Sequence, residues 1–281
     1  MTTDPPSSPV SISYDRAAGF YDDTRPTALD GLQGVLSFLD GALPTGEVAL
    51  EIGVGTGALA IPLAGRGRRV IGLDLSEPML RRLRVKPGAD AVRLLLGDAT
   101  RLPFADGSVG AAYCRWVFHL ISAWPAAVAE LCRVVRRGGA IAVDPGGYSG
   151  EWRVVWQRTI DELGPDARPV GLDIGREAAK LDEAFAIGGG ELVTTDVTQV
   201  VYEGSLARFF DEAERRVYSW TWRVGDQELE RGIAAVRAWA ADRYGDLEAP
   251  FDPLASHPWR VYRLGSPTDP PNRGPGSALY P

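Results

Sequence analysis

The sequence is poor in the residues that most often announce chemistry. Its 281 residues include only two cysteines, two histidines and two methionines. Cys114 and Cys132 make neither a zinc-type ligand pattern nor a disulfide framework. Cys114 sits in an apolar strand-like run and Cys132 on an apolar helix face, so both are expected as buried free thiols. Long apolar runs are missing too, and none approaches the roughly 18 residues that mark a membrane-spanning helix. The opening MTTDPPSSPV has no basic start and no apolar signal core, the pattern expected of a cytoplasmic chain. Positive charge is in deficit, with a net charge of −7, and only Lys86 and Lys180 among the 30 basic residues are lysines. A groove that tracks a phosphate backbone needs a positive stripe, so nucleic acid is not the expected partner. There is no internal repeat.

What remains is an ordinary globular composition, 45% apolar and 24% charged, in a length that suits one large α/β domain. The Pro- and Ser-rich residues 1–10 and the tail 265–281 are expected to be disordered, leaving 11–264 as a single domain. Leu29, Leu32, Val35, Leu36 and Leu39 mark a helix over 27–41. EVALEI (47–52), RRVIGLD (68–74), VRLLLGD (92–98), VGAAYC (109–114) and AIAVD (140–144) read as five apolar strands. Ser76 and Pro78 open a helix after the second of these. Val128, Leu131, Cys132 and Val135 mark a helix stopped by Gly138-Gly139. Helices alternating with apolar strands predict an α/β, doubly wound parallel sheet covered on both faces. Residues 27–145 would form a ligand-binding half.

The second half reads differently. Trp152, Val155, Trp156, Ile160 and Leu163 predict one helix and 176–187 a second. ELVTTDVTQVVY (191–202) is a long β-branched strand, and PWRVYRL (258–264) a last one. Between them, Leu206 to Val217 and Leu229 to Ala240 mark two more amphipathic helices. The count is seven strands, with insertions over about 146–190 and 204–250. The run VYSWTW (217–222), with Phe209 and Phe210, is either an aromatic lid over a flat or greasy ligand or the core of its own insertion.

The segment ALEIGVGTGALA (49–60) carries the function. Gly53, Gly55 and Ala58 fit the G-x-G-x-x-[GA] turn of dinucleotide sites, while Glu51, Gly53, Gly55 and Gly57 fit E-x-G-x-G-x-G, a loop that holds S-adenosylmethionine. Either ligand explains Asp74, an acid at the end of the second strand placed for a ribose diol. Three features favour S-adenosylmethionine. Glu51 is a carboxylate that a pyrophosphate would repel and an ammonium or sulfonium would attract. Asp98, in Gly97-Asp98-Ala99, can accept from an adenine amino group, with Leu102 and Phe104 placed to cover the ring. The run CRWVFHLI (114–121) after the fourth strand is aromatic and contains His119.

Together VALEIGVGTGALA, RRVIGLDLSEPML, LLLGDATRLPFADGSVGAAYCRWVFHL and AELCRVVRRGGAIAVD, in this order, resemble class I S-adenosylmethionine-dependent methyltransferases. More narrowly they are similar to the bacterial small-molecule group that includes quinone-biosynthesis C-methyltransferases, and YDRAAGFYDDTRP (14–26) resembles that group's N-terminal segment. The likeness covers about residues 12–145. It implies a Rossmann-like sheet of seven strands with the last antiparallel, and a loop, Glu51 to Gly57, around the methionine part of the cofactor, with Glu51 on the amino-group side. It further implies Asp74 on the ribose hydroxyls, Leu75 beside the adenine, Asp98 on the adenine amino group with Ala99 packing nearby, and Arg115 near the methionine carboxylate or the acceptor.

The catalytic candidates each have a plainer alternative. His119 is a candidate base or a hydrogen-bonded structural residue, and Asp144 a proton acceptor or a turn-former with Pro145 and Gly146. Tyr21, like Tyr14, offers a hydroxyl near the methyl group or simple packing; Arg25 meets a carboxylate or stays at the surface. The acidic-Pro-Pro-aromatic signature of base N-methyltransferases is absent after the fourth strand, and the two Asp-Pro-Pro strings fall in the tails. The expectation is therefore an enzyme that moves a methyl group to a small, apolar or aromatic acceptor without a metal. The alternatives are an NAD(P)-dependent oxidoreductase on the same loop, for which no Tyr-x-x-x-Lys pair is present, and a non-catalytic S-adenosylmethionine binder.

Overall fold

The computed structural model describes residues 11–24, 29–201, 204–252 and 254–265. Seven strands, β1 (Val48–Ile52), β2 (Arg69–Asp74), β3 (Val92–Leu96), β4 (Val109–Arg115), β5 (Val135–Asp144), β6 (Gly190–Val201) and β7 (Leu254–Leu264), form one sheet in the order β3-β2-β1-β4-β5-β7-β6. The first five strands are mutually parallel, and β7 runs antiparallel to both β5 and β6. The strand order reverses between β1 and β4, and ligands of open α/β sheets bind beyond the carboxyl ends of the strands at such a reversal.

Helices α1 (Tyr21–Thr24) and α2 (Leu29–Ala42) precede the sheet; α3 (Ala60–Gly65), α4 (Glu77–Arg84) and α5 (Trp124–Val134) are the crossovers between its parallel strands. Leu32, Val35, Leu36 and Leu39 of α2 pack with Leu63 of α3 and Leu80 and Leu83 of α4 against one face. On the other face lie Val128 and Leu131 of α5, with Leu181 and Phe185 of α7 (Ile174–Ile187). At roughly 25 cal/mol per Å² of apolar surface removed from water, these two layers are the main stabilising term of the sheet. The Ser76 hydroxyl accepts from Met79 N at 3.3 Å and caps α4, a contact worth about 1 kcal/mol.

The end of the helix before β5 differs from the sequence expectation. The helix before β5 stops at Val134, and Gly138-Gly139 lie inside β5 instead of ending the helix. The reason is pairing: Val135 is already in register with Val109 of β4. Gly139 is held there by crowding, since a Cβ would come within 2.6 Å of the Gly110 carbonyl oxygen.

The connections around β6 are helical. Helix α6 (Gly150–Leu163) and α7 lie between β5 and β6; α8 (Leu206–Glu214) and α9 (Asp226–Tyr244) lie between β6 and β7. Trp152, Val155, Ile160 and Leu163 of α6, Phe209 and Phe210 of α8, and Leu229, Ile233 and Val236 of α9 share a core separate from the two sheet layers. Residues 1–10 and 266–281, including both Asp-Pro-Pro strings, and Arg25 lie outside the described residues. Among the described residues no helix is long and apolar enough to cross a membrane.

Candidate active site

The loop that leaves β1 is built by three left-handed glycines, Gly53 at φ 70°, Gly55 at φ 54° and Gly57 at φ 87°, a region that side chains disfavour. Space is short as well: a Cβ on Gly53 would come 2.7 Å from Val117 Cγ2, and one on Gly57 would come 2.9 Å from Leu83 Cγ. Gly53 N donates to Leu73 O at 2.8 Å, tying the loop to the end of β2. Asp74 completes the closure, its Oδ2 accepting from Gly55 N at 2.7 Å and its Oδ1 from Ser76 N at 2.8 Å. Each oxygen keeps a second acceptor position, which is what a vicinal diol requires. Burial raises the Asp74 carboxyl above its ordinary value, against the backbone amides of Ser76, Gly55 and Leu75.

Glu51 is almost fully buried one strand away from Tyr113, its register partner in β4, whose hydroxyl donates to Glu51 Oε2 at 2.9 Å. Burial pushes the Glu51 carboxyl up to about 8; the Tyr113 bond opposes the rise, the Asp74 charge adds to it and Arg115 opposes it. A neutral carboxyl at neutral pH, beside a glycine cradle, will ionise when a cation is placed next to it.

Along the rim, Leu75 is 44% exposed, a large apolar side chain left open beside the loop, while Ala99 is buried. Asp98 is exposed, and its Oδ1 accepts from Thr100 N at 2.8 Å. Leu102 and Ala99 are both buried in the same core cluster, with Phe104 half-buried against it. The segment before α2 lies over the loop: Thr56 Oγ1 donates to Asp22 Oδ1 at 2.6 Å, and Lys86 Nζ donates to the same oxygen at 2.9 Å. Tyr21, the residue before that anchor, packs edge-on against Tyr14 at 5.8 Å, and Tyr14 meets Trp222 of the insertion at 5.0 Å.

Beyond the ends of β4 and β5 the polar groups gather. Arg115 Nε donates to Asp144 Oδ2 at 3.3 Å, and Gly146 N donates to Asp144 Oδ1 at 3.0 Å. Asp144 has no exposed surface, and burial pushes its carboxyl up to about 6 against the pull of Arg115. His257, from β7, stands 3.6 Å from Asp144 Oδ2 through Nδ1, and burial together with Arg115 drives its imidazole down to about 3, so it is neutral. Trp116 adopts φ 58° between these groups, a conformation that costs a bulky residue about 1–2 kcal/mol. His119 is half-exposed on the following turn, which is pinned by Gly171 N donating to His119 O and Leu172 N donating to Phe118 O, both at 3.0 Å. From the end of β5 an aromatic chain runs into the insertions: Tyr148 to Trp156 at 5.2 Å, Trp156 to Trp220 at 5.3 Å, and Trp220 stacked on Tyr218 at 5.6 Å. Phe209, Phe210 and Tyr218 belong to the insertion core, and Trp220 packs against it half-buried.

The structure thus brings Glu51, the three glycines, Asp74 and Leu75 to one loop, and Arg115 and Asp144 to a neighbouring cluster. Sequence reasoning missed Tyr113 and His257. A lone phenol in the otherwise aliphatic strand GAAYC was a signal for the first. His257 shares a strand face with the buried Trp259 and Val261, a period of two that begins before the strand start read from sequence.

Residues 50–143 match the methyltransferase domain family. Over 161 residues the chain is 34% identical to a malonyl–acyl-carrier-protein O-methyltransferase of Methylococcus capsulatus, covering 54% of this chain and 57% of that one. It is 36% identical over 125 residues to a demethylmenaquinone methyltransferase of Thermus thermophilus, covering 41% and 57%. It is 30% identical over 172 residues to an uncharacterized methyltransferase of Geobacillus sp., covering 59% of this chain and 76% of that protein. The chain spans little more than half the length of the first relatives it matches, 57%, 50% and 58%. Among solved structures, the YcgJ protein of Bacillus subtilis superposes with a TM-score of 0.54 at 19% identity, covering 83% of this chain and 98% of that one, which is a likeness of fold. Sheet order, glycine loop and relatives agree, and the chain belongs to the class I S-adenosylmethionine-dependent methyltransferases.

Proposed function

We propose that this protein transfers the methyl group of S-adenosylmethionine to a small-molecule acceptor. The observation that carries the reading is the closed loop, with three left-handed glycines locked to Asp74 beside a buried carboxyl, Glu51. The donor set fits the cofactor. Glu51 supplies an anion for an ammonium, Asp74 retains acceptor positions for ribose hydroxyls, Leu75 and Ala99 offer apolar contact to a purine, and Asp98 has an oxygen for its amino group. A pyrophosphate would gain nothing from Glu51.

When bound, the sulfonium supplies an already activated methyl group that a nucleophile displaces directly. The chain's own work is then positioning and exclusion of water. The Tyr14–Tyr21 segment, anchored through Asp22 to Thr56, supports a role for the Tyr21 hydroxyl near the reacting methyl. The contiguous rings of Tyr148, Trp156 and Trp220 support a flat, apolar or aromatic acceptor. His119 is the group open enough to take a proton from such an acceptor, whereas Asp144 has no exposed surface and serves Arg115.

The test is a pair of calorimetric titrations with S-adenosylhomocysteine and NADH, followed by transfer of a radiolabelled methyl group into a panel of phenols, carboxylic acids and amines. Binding of the first ligand alone, with label appearing in an acceptor, is the expected result. Binding of NADH alone overturns the reading, and S-adenosylhomocysteine binding with no transfer to any acceptor class leaves a binder instead of an enzyme.

A further inference from the structure

Glu51 stands on β1, between β2 and β4, and its two register partners differ sharply. On β2 the partner is Gly72, which has no side chain, and the space above it is filled by Val54, whose Cγ2 lies 2.6 Å from where a Cβ would stand. On β4 the partner is Tyr113, whose hydroxyl donates to Glu51 Oε2 at 2.9 Å. Both side chains are buried, with 4% exposure for Glu51 and 1% for Tyr113. Oε1 makes no hydrogen bond to any described residue. Among the described residues the sheet thus gives this carboxyl one donor, on one oxygen. The other oxygen is left unclaimed two residues before Gly53.

A ring without a hydroxyl would fill the same space in this strand, beside Ala111 and Ala112. A buried phenol and a buried carboxyl each cost free energy unless they meet, and apolar groups in both places would remove that cost. Packing alone calls for neither group. What the pair adds is orientation, because a bond to Oε2 fixes which oxygen of Glu51 remains for a ligand. The phenol is a permanent donor: burial and the Glu51 charge hold its own ionisation well above the ordinary tyrosine value. It gives Oε2 a hydrogen bond and no proton. That bond is stronger to a carboxylate than to a carboxylic acid, so it favours the form that an ammonium needs. The Asp74 charge opposes ionisation of Glu51, and Arg115 favours it; burial keeps Cys114, next to Tyr113, a neutral thiol.

We propose that Tyr113 is a positioning residue of the cofactor site: its phenol holds Oε2 of Glu51, steadies the carboxylate once a cation ionises it, and leaves Oε1 as the atom that meets the ammonium of S-adenosylmethionine. The inference rests on the methyltransferase reading above and extends it to a residue of β4 that acts through Glu51.

The experiment compares the wild-type protein with Tyr113→Phe, each checked for folding by its melting curve. Calorimetry over roughly pH 6.5–9.5 measures S-adenosylhomocysteine and its deaminated analogue, which keeps the carboxylate and lacks the ammonium. Without its donor, the ionised form of Glu51 is harder to reach. Affinity of the variant for S-adenosylhomocysteine at pH 7 should fall about tenfold, and the pH at which affinity levels off should move up by about one unit. At pH 8 the proton released on binding should grow from about half of one toward a whole one. The deaminated analogue should move less than about twofold at pH 7, because it does not require an ionised Glu51. An unchanged pH profile in the folded variant, or equal weakening of both ligands, refutes the proposal and assigns Tyr113 to packing. Should Tyr113→Phe not fold, 3-fluorotyrosine in place of Tyr113 carries the test with the opposite sign. It is a stronger donor of nearly the same shape, so affinity should level off at a lower pH, and no movement overturns the proposal. Failure of the wild-type protein to bind S-adenosylhomocysteine at any pH refutes the methyltransferase reading itself.

Discussion

Cofactor binding should expel a proton from Glu51. With its carboxyl held at about 8 by burial, about nine in ten molecules carry that proton at pH 7 when no cation is near. An ammonium placed beside Glu51 favours the ionised form, so binding at pH 7 must first remove the proton, at about 1.4 kcal/mol per pH unit below the pKa. Affinity for S-adenosylhomocysteine should therefore rise close to tenfold per unit over roughly pH 6.5–8, then level off. The neighbours that face Glu51 are Tyr113, Asp74 and Arg115; Asp144, at about 6, titrates below this window. The assay is calorimetry at pH 7 in phosphate and in Tris, whose ionisation enthalpies differ widely. The apparent enthalpies should differ by nearly one proton's worth, and Glu51→Gln should abolish both this difference and the pH slope. Identical enthalpies in the two buffers for the wild-type protein would refute the argument, because Glu51 would then hold one protonation state throughout.

Stability without ligand should fall as pH rises from about 5 to 8. The unfolded chain releases the Glu51 proton near 4.5 and the folded chain only near 8, so stabilisation present below the first value is lost through the second, by up to about 1.4 kcal/mol per pH unit; denaturant titrations should show the slope, and Glu51→Gln should flatten it. Asp74→Ala should weaken S-adenosylhomocysteine by about 1–3 kcal/mol, the scale of lost bonds to a charged acceptor, and unchanged affinity would remove Asp74 from the site. Gly53→Ala should lower the melting temperature and cofactor affinity together, because φ 70° is disfavoured and the new methyl meets Val117 Cγ2 at 2.7 Å; a neutral result would mean that Val117 yields freely. His119→Ala should reduce the rate of methyl transfer with cofactor affinity unchanged, and equal rates would assign His119 to the turn alone.

The cofactor half was legible because its signals are local. Glycines at 53, 55 and 57 between an apolar strand and a helix, with Asp74 ending the next strand, describe a loop whose contacts are nearly all close in sequence. Gly138-Gly139 misled for the same reason, since a glycine pair stops a helix only if no strand partner claims the backbone first, and Val109 claims Val135. The aromatic run 217–222 was read as either lid or core, and the structure divides it: Tyr218 is buried, while Trp220 and Trp222 are half-buried toward the Trp156 and Tyr14 rings.

The sequence by itself determined the α/β class, the seven strands, the glycine loop and the acid at the end of β2, because hydrophobic period, turn chemistry and short spacing are written along the chain. Tertiary structure alone decided the proton affinity of Glu51, which depends on burial between β1 and β4 and on a phenol 62 positions away. It alone decided that Asp144 faces inward to Arg115 and that His257, 113 positions later (257 − 144), completes the cluster from an antiparallel strand. Such properties arise from desolvation and from charges brought together across the sheet, and neither has a period or a spacing to read.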